Sequence, residues 1–573
     1  MEAGKRNITD IFNQGRTLEI PFFQRSYVWT DENWERFFSD MEVVSTQNKA
    51  YFLGSIILKA KPVSSGNPIG DWRIVVDGQQ RLTTITLFCK ALFEAQKKNE
   101  DLFGRLFYNR RKEIILKHNH SDIEIFEAIV NNRLTKVLTD KHKHSGVLEC
   151  YNYFKKKKEA LTALNLDTLL DRLYFLGIDL SSDEDEQQIF DTINSLGVSL
   201  TTAELLKNEL FRREDEVLYA RTWKETFEKD EDTKFYWDLE VTAGRQHRVN
   251  IDLFLQSYLL IRSEAQDKYM GLSSLFANYT AFLKDEGIQR QSFVEMLVDY
   301  ARRYQESVNP NLLNEEIDQK SSIERLNVVV FGLNTTTVVP YIAYIIKEVE
   351  DPEEQSDIFR LLENYLMRRL VCKETTKNYN NMFASFIRNK VSSYNALRNK
   401  IEKSEDPTNR FPNDKALLKG FLESNLTNQQ ARTVLYLIEK SIQSTKDATI
   451  IRPFNEYSVE HIMPKKWRNN WRFSGSADER DEQVLKLGNL SILTAALNSS
   501  IRDADWKTKK SGRGGKKGLE EYSAGIKTFR PYLKQADWNE DLIAERARDL
   551  YGYASSIWTL GDRSTGNSAE EVE

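Results

Sequence analysis

The chain has 573 residues, length enough for about two to four domains with cores of their own, and its 40% hydrophobic and 29% charged content excludes a disordered or collagenous polymer and suits a soluble globular protein. A net charge of −5 excludes indiscriminate binding to nucleic acid, so any contact with DNA has to come from local basic patches. Cys89, Cys150 and Cys372 are odd in number and far apart, which indicates neither a disulfide framework nor a zinc knuckle; with no signal-peptide core in residues 1 to 20 and no apolar run of membrane-spanning length, a reducing cytoplasm is the expected compartment.

In chain order, the first informative stretch is the aromatic-rich Ile20-Pro21-Phe22-Phe23-Gln24-Arg25-Ser26-Tyr27-Val28-Trp29, after which Thr30-Asp31 cap a helix through Trp34, Phe37, Phe38 and Met41. Its aromatics read equally well as an ordinary strand-to-helix corner. Arg25 is different, because a guanidinium among so many apolar groups wants an anionic partner, a carboxylate or a ligand phosphate. Tyr51 to Leu58 and Trp72 to Val76 read as strands around a Gly/Pro/Ser-rich turn. The second ends in Asp77-Gly78-Gln79-Gln80-Arg81, and Leu82, Ile85, Phe88, Leu92 and Phe93 follow at helical spacing. In such a strand, glycine turn and helix, Gly78 allows close backbone approach, the helix N-terminus offers N–H groups to an anion, Arg81 can clamp a phosphate, and Asp77 can hold a metal or polarise water. The same geometry also occurs widely without a ligand.

From about Arg105 to Leu176 the pattern is helical and highly charged, with Lys155 to Lys158 read as a solvated helix face. His118, His120, His142 and His144 sit in polar stretches without acidic or cysteine partners at ligand spacing, so solvated loops are expected there and not a metal site. Residues 215 to 430 again read as helices, with apolar stripes at Ile251, Phe254, Leu255, Tyr258 and Leu259 and at Ile358, Leu361, Leu362, Tyr365 and Leu366. Their position suggests a connector between two sites.

The C-terminal part carries the chemistry. A short β-prone run, Tyr457-Ser458-Val459-Glu460-His461-Ile462-Met463, is stopped by Pro464, and a second, Leu487-Gly488-Asn489-Leu490-Ser491-Ile492-Leu493, is followed by Asn498. His461 suits a general base, since a neutral imidazole accepts a proton near pH 7 with little tuning. Glu460 and Asn498 are hard oxygen donors of the kind Mg²⁺ or Mn²⁺ prefers. Adjacent strand residues point to opposite sides, so Glu460 and His461 share a site only if the strand twists or ends there. Asn489 is expected to brace the loop through side-chain bonds to backbone. Between Arg502 and Lys517 lie seven Lys/Arg and two acidic residues among several glycines, and Lys507, Lys509, Lys510, Arg513, Lys516 and Lys517 are the candidate contacts to a DNA backbone.

The E-H-I-M-P and L-G-N-L-S-I-L strings and Asn498, continued through Trp506, Lys507, Trp538, Ile543, Glu545, Arg546, Leu550 and Trp558, resemble the HNH (ββα-metal) nuclease module at the C-terminus of GmrSD-type, modification-dependent restriction proteins. The resemblance implies that His461 is the general base, that Glu460 and Asn498 hold the metal, and that Asn489 is structural. The gap from His461 to Asn489 departs from a compact HNH motif, and its polar insert, Trp467 to Glu482, is expected to be a loop. Upstream, V-V-D-G-Q-Q-R-L-T-T-I, preceded by I-P-x-x-Q-R-x-Y-x-W, resembles the ParB-like N-terminal domain of the same proteins. This likeness implies binding and hydrolysis of a nucleoside triphosphate of unspecified base at Asp77, Gly78, Gln79, Gln80 and Arg81, with Arg25 nearby, although no Walker P-loop is present. A third string, Gln188 to Thr201 with Lys207-Asn208, also matches, with Leu196 where the family has a small polar or basic residue; Asn194 and Gly197 are expected to shape a turn facing the nucleotide.

The expected fold is α+β and predominantly helical: a ParB-like α/β domain over residues 1–215, a helical connector over 216–430, an HNH domain over 431–560 and a flexible tail over 561–573. The expected function is a cytoplasmic, nucleotide-regulated, metal-dependent endonuclease of bacterial anti-phage defence, acting on foreign, modified phage DNA and attached to no membrane. A homodimer and further defence proteins stand open as partners. An HNH nuclease acting on RNA and a nucleotide-dependent DNA-binding switch without nuclease activity are the rival readings.

Overall fold

A computed structural model describes residues 2–22, 24–61, 71–97, 100–118, 122–181, 201–211, 215–243, 246–271, 275–404, 406–443, 451–471, 476–494, 503–512, 514, 518–522 and 526–559. The chain forms two compact units, Met1–Ala220 and Arg221–Glu573. Helix predominates, and a mixed six-stranded sheet lies at the N-terminal end, an α+β fold of the expected kind. Among the described residues no helix is long and apolar enough to cross a membrane.

The first unit contains β1 (Glu2–Asn7), β2 (Arg16–Glu19), α1 (Asp31–Gln47), β3 (Tyr51–Ala60), β4 (Asp71–Asp77), α2 (Gln79–Gln96), β5 (Leu116–Lys117), α3 (Gly146–Lys156), β6 (Leu173–Leu180) and α4 (Thr202–Leu210). The sheet order is β1-β6-β3-β4-β2-β5. The outer β1 runs antiparallel to β6 and β3 runs antiparallel to β4, while β6/β3, β4/β2 and β2/β5 are parallel. Its organising helix is α2, buried at every position from Leu82 to Phe93, the pattern of a helix enclosed on all sides rather than amphipathic at a surface. Its inward threonines are compatible with that burial because Thr83, Thr84 and Thr86 each donate to the carbonyl four residues back at 2.8 Å. Phe37 and Phe38 of α1 and Phe154 of α3 close around Phe88 of α2 in one aromatic cluster.

After short helical segments the second unit has a ribbon of β7 (Glu240–Ala243) and β8 (Gln246–Val249) and continues through α5 (Asn250–Arg262), α6 (Ser322–Gly332), α7 (Val339–Glu348), α8 (Pro352–Val371) and α9 (Asn428–Ile442). Then come β9 (Tyr457–His461) and β10 (Leu490–Thr494), which form an antiparallel pair, α10 (Trp506–Ser511) and α11 (Glu540–Ile557). Both apolar stripes read from the sequence are core, on α5 and α8. The helices and the hairpin are stitched together within this unit. Glu363 of α8 accepts from Arg325 of α6 and from the Trp558 indole at the end of α11, each at 2.9 Å, and Asn364 donates to the Thr559 carbonyl at 2.6 Å. Arg432 of α9 donates to the carbonyl of Tyr457 on β9 at 3.1 Å.

Two local expectations are overturned. The insert after His461 is no simple loop: Trp467 is buried, its indole donates to Asp481 at 2.7 Å, and a short helix over Ala477–Gln483 carries Arg480, which forks onto Glu540 at the start of α11 at 2.5 and 3.1 Å. The Glu540 carboxylate, favoured at the N-terminus of α11 and gripped by the bidentate Arg480 guanidinium, explains why so polar a segment is anchored. His118 does not sit in a solvated loop either; it is buried, its Nε2 lies 2.9 Å from the Thr83 hydroxyl of α2, and its ring packs on Phe126. His142 lies 2.9 Å from Glu124, His144 is exposed, and His120 lies outside the described residues. No group of three or more His, Cys, Asp or Glu side chains converges among the described residues.

Candidate active site

In the second unit the β9/β10 register sets Glu460 opposite Ser491 and His461 opposite Leu490. Immediately beyond, the chain turns. The Ile462 amide donates to the Asn489 carbonyl at 2.9 Å, and Asn489 itself is 0% exposed with both ends of its amide in use. Its Nδ2 donates to the carbonyls of Met463 and Val484, each at 2.8 Å, while its Oδ1 accepts from the Met463 amide at 2.8 Å and the Trp538 indole at 3.0 Å. Two donors and two lone pairs are thus satisfied, which leaves Asn489 no capacity for a metal or a phosphate. It braces the strand end at which Glu460 and His461 stand. Gly488 permits the tight approach of α11: a Cβ there would lie 2.0 Å from the Ile543 carbonyl oxygen.

Glu460 is buried, and its carboxylate takes a hydrogen bond from the Lys509 ammonium of α10, which also donates to the His461 carbonyl at 2.8 Å. Burial raises the Glu460 carboxyl above the usual carboxylate range, and the Lys509 charge opposes that rise. Burial also lowers the Lys509 ammonium, with Glu460 pulling it back up. The His461 imidazole is pushed down to about 4, chiefly by burial and further by the charges of Lys465 and Lys509. It is therefore neutral, and able to accept a proton, throughout the neutral range. Ser491 Oγ, directly across from Glu460, is buried and has no hydrogen-bond partner among the described residues. Behind the hairpin, the fully buried Arg546 donates to the carbonyls of Gly488 and Leu490 at 2.8 and 2.7 Å.

The depressed histidine has a measurable consequence. In a ¹H–¹³C titration of the histidine rings, assigned by the signal lost in His461→Gln, His461 is expected to titrate near pH 4 and not near 6.5. Since its folded value lies below the unfolded one, its contribution to stability is complete above 6.5 and is lost as pH falls toward 4. A midpoint at 6.5 or above would contradict the buried environment.

Lys509 departs from its expected role. Its side chain is 0% exposed, so it cannot meet a DNA backbone. Lys507 is exposed, whereas Lys510 is half-buried with its ammonium 3.3 Å from the Gln535 carbonyl. Arg513, Lys516, Lys517 and the expected metal ligand Asn498 lie outside the described residues. The signal for Lys509 was its spacing: Trp506 and Lys509 are three apart on α10 and are its two buried residues.

In the first unit, Asp77 ends β4, Gly78 turns at φ +97°, and Gln79 starts α2. A side chain at Gly78 would also meet Ile56 at 2.9 Å. Arg81 donates to the Ser55 carbonyl at 3.0 Å, lies 3.7 Å from Asp77, and crosses Gly54, itself at φ +110°, so closely that a Cβ there would be 2.8 Å from Arg81 Nε. The two glutamines grip the aromatic-rich stretch: Gln79 Nε2 donates to the Arg25 carbonyl at 3.2 Å, and Gln80 donates to the Ser26 carbonyl at 3.1 Å and accepts from the Val28 amide at 2.9 Å. The I-P-x-x-Q-R and D-G-Q-Q-R strings are thus one structural element. Gln80 spends both ends of its amide on backbone, whereas the buried Gln79 Oε1 has no partner among the described residues. Arg25 is half-buried beside them, and Asn194 lies outside the described residues.

One unit thus holds a mixed sheet with a glycine turn at the end of β4, and the other a hairpin with Glu460 and His461 at the end of β9. The family model described as the GmrSD restriction endonuclease, N-terminal domain, matches residues 8–211, and that described as the GmrSD restriction endonucleases, C-terminal domain, matches residues 411–552. The chain belongs to the GmrSD restriction endonuclease family, a family of nucleases in anti-phage defence whose substrate is DNA. No curated protein matches the chain.

Proposed function

We propose that the protein is a metal-dependent endonuclease of the HNH type, regulated by a nucleoside triphosphate held in its N-terminal unit, and that it cuts or nicks modified phage DNA. The observation that carries this reading is the buried Glu460 beside a neutral His461 at the braced end of β9, inside the stretch the C-terminal family model matches. The donor chemistry suits Mg²⁺ or Mn²⁺: a carboxylate at Glu460 and the buried Ser491 hydroxyl, which has no partner among the described residues, are hard oxygens, and such ions keep several waters and need few protein ligands. Glu460, with Asn498, would hold the ion. A divalent ion held there would supply charge neutralisation at the scissile phosphate and at the departing 3′-oxygen. His461 does the proton work: its imidazole accepts a proton from water as the oxygen attacks phosphorus in line. Burial keeps it unprotonated beforehand.

The same reading gives the first unit a triphosphate at the turn from Asp77 to Arg81. Its support is the positive-φ glycine that opens the turn and the Arg81 guanidinium beside it. Arg81→Ala is expected to weaken binding of a fluorescent nucleoside triphosphate by about 10- to 100-fold, the loss of one charge-assisted contact. Unchanged affinity would remove the nucleotide from this cradle. For the nuclease, chelation of divalent metal by EDTA is expected to stop cleavage and added Mg²⁺ or Mn²⁺ to restore it; cutting that persists in EDTA would refute the metal assignment.

A further inference from the structure

We propose that Lys509 is a positioning residue of the nuclease site, its ammonium bridging the Glu460 carboxylate and the His461 carbonyl so that the carboxylate is set toward the divalent cation. The proposal rests on the metal reading given above and adds a residue to it. Three observations carry it. Lys509 is fully enclosed, so neither solvent nor a phosphate reaches its ammonium. Its donors go to the carboxylate of Glu460 and to the carbonyl of His461, which ties the carboxylate to the backbone on the far side of His461, where the strand ends. Its helix, in turn, is docked on the brace of the same loop: Trp506, three residues earlier, stacks on Trp538 at 5.8 Å between ring centroids, and the Trp538 indole bonds Asn489. The Asp505 carboxylate caps that helix, accepting from the Thr508 amide at 3.0 Å.

A buried ammonium is costly unless it serves a partner. A solvated DNA contact requires none of this burial, whereas a group that orients a metal-binding carboxylate requires all of it. Partners of this kind behind a metal ligand typically contribute about 10- to 100-fold in metal affinity. Lys509 touches no reacting atom and acts through Glu460.

The test is Mn²⁺ titration of the nucleotide-free full chain, followed by electron paramagnetic resonance, for wild type, Glu460→Gln, Lys509→Met and the double variant. Lys509→Met is expected to weaken Mn²⁺ binding about 10- to 100-fold, and in the Glu460→Gln background the same change is expected to have no further effect, because the two residues act as one unit. Lys509→Met affinity within about twofold of wild type, or an equal loss in both backgrounds, would overturn the proposal while leaving the metal at Glu460. If Glu460→Gln itself binds Mn²⁺ as wild type does, the metal reading fails and the proposal with it. Should Lys509→Met fail to fold because it strands a buried carboxylate, the double variant removes that charge, and its comparison with Glu460→Gln still decides: equal affinity supports the bridge, and a further drop refutes it.

Discussion

His461→Ala is expected to lower DNA cleavage by about 10²- to 10⁴-fold, the usual contribution of a positioned general base, while Mn²⁺ binding and thermal stability stay near those of wild type. The separation of effects follows from the geometry. His461 is the outward partner of the pair, and the interactions described at that residue run through its backbone: the carbonyl accepts from Lys509, and the strand pairs it with Leu490. Truncating the ring leaves those bonds in place. No other histidine lies beyond His247 in the chain, so none can substitute from the neighbouring sequence. A His461→Ala variant that cuts at more than about a tenth of the wild-type rate would transfer the base role to another group.

Asn489→Ala is expected to cost the second unit about 4 kcal/mol, since truncation strands the buried Met463 amide, the Trp538 indole and two carbonyls, each of which loses a partner it cannot replace with water. Thermal unfolding followed by tryptophan fluorescence should register the loss directly, because Trp538 is one of the reporters. Cleavage should fall as well, through the strand end that Asn489 shapes. A variant as stable as wild type would show that the loop holds its bend by other means. Asn489→Asp separates the two faces of the amide: Oδ1 keeps its two donors, while the position of Nδ2 is left facing two carbonyls, so it too should be destabilised.

How far the sequence alone disclosed the site depends on the kind of signal each residue leaves. β9 and β10 were legible because two β-prone runs bracket the Pro464 stop, and Asn489 was legible as a brace because an asparagine amide commonly bonds backbone in just such a bend. The enclosed α2 was legible from Leu82 to Phe93, where the apolar residues follow helical spacing. Lys509 was not, because a lysine in a Lys/Arg-rich stretch is assigned to solvent by composition; its spacing from Trp506 hints at the buried face, but its partner lies 49 residues earlier in the chain. His118 misled for the same reason: its neighbours in sequence are polar, and what buries it is Thr83 and Phe126, which sequence spacing does not connect. Gln79 and Gln80 were expected to face the nucleotide, yet their amides principally hold the backbone of residues 25 to 28, a pairing across more than fifty positions. Local patterns gave elements, and long-range hydrogen bonds decided which polar side chains serve the fold.

The measurement that bears most directly on the central claim is cleavage of modified and unmodified phage DNA by the purified full chain in Mg²⁺ or Mn²⁺, with and without nucleoside triphosphates, beside structured RNA in the same buffer. The expected result is nicking or cutting of DNA that requires the divalent ion and changes with nucleotide. Salt-sensitive DNA binding without cleavage in any metal would contradict the nuclease and leave a nucleotide-dependent binding switch, and degradation of RNA in preference to DNA would contradict the substrate.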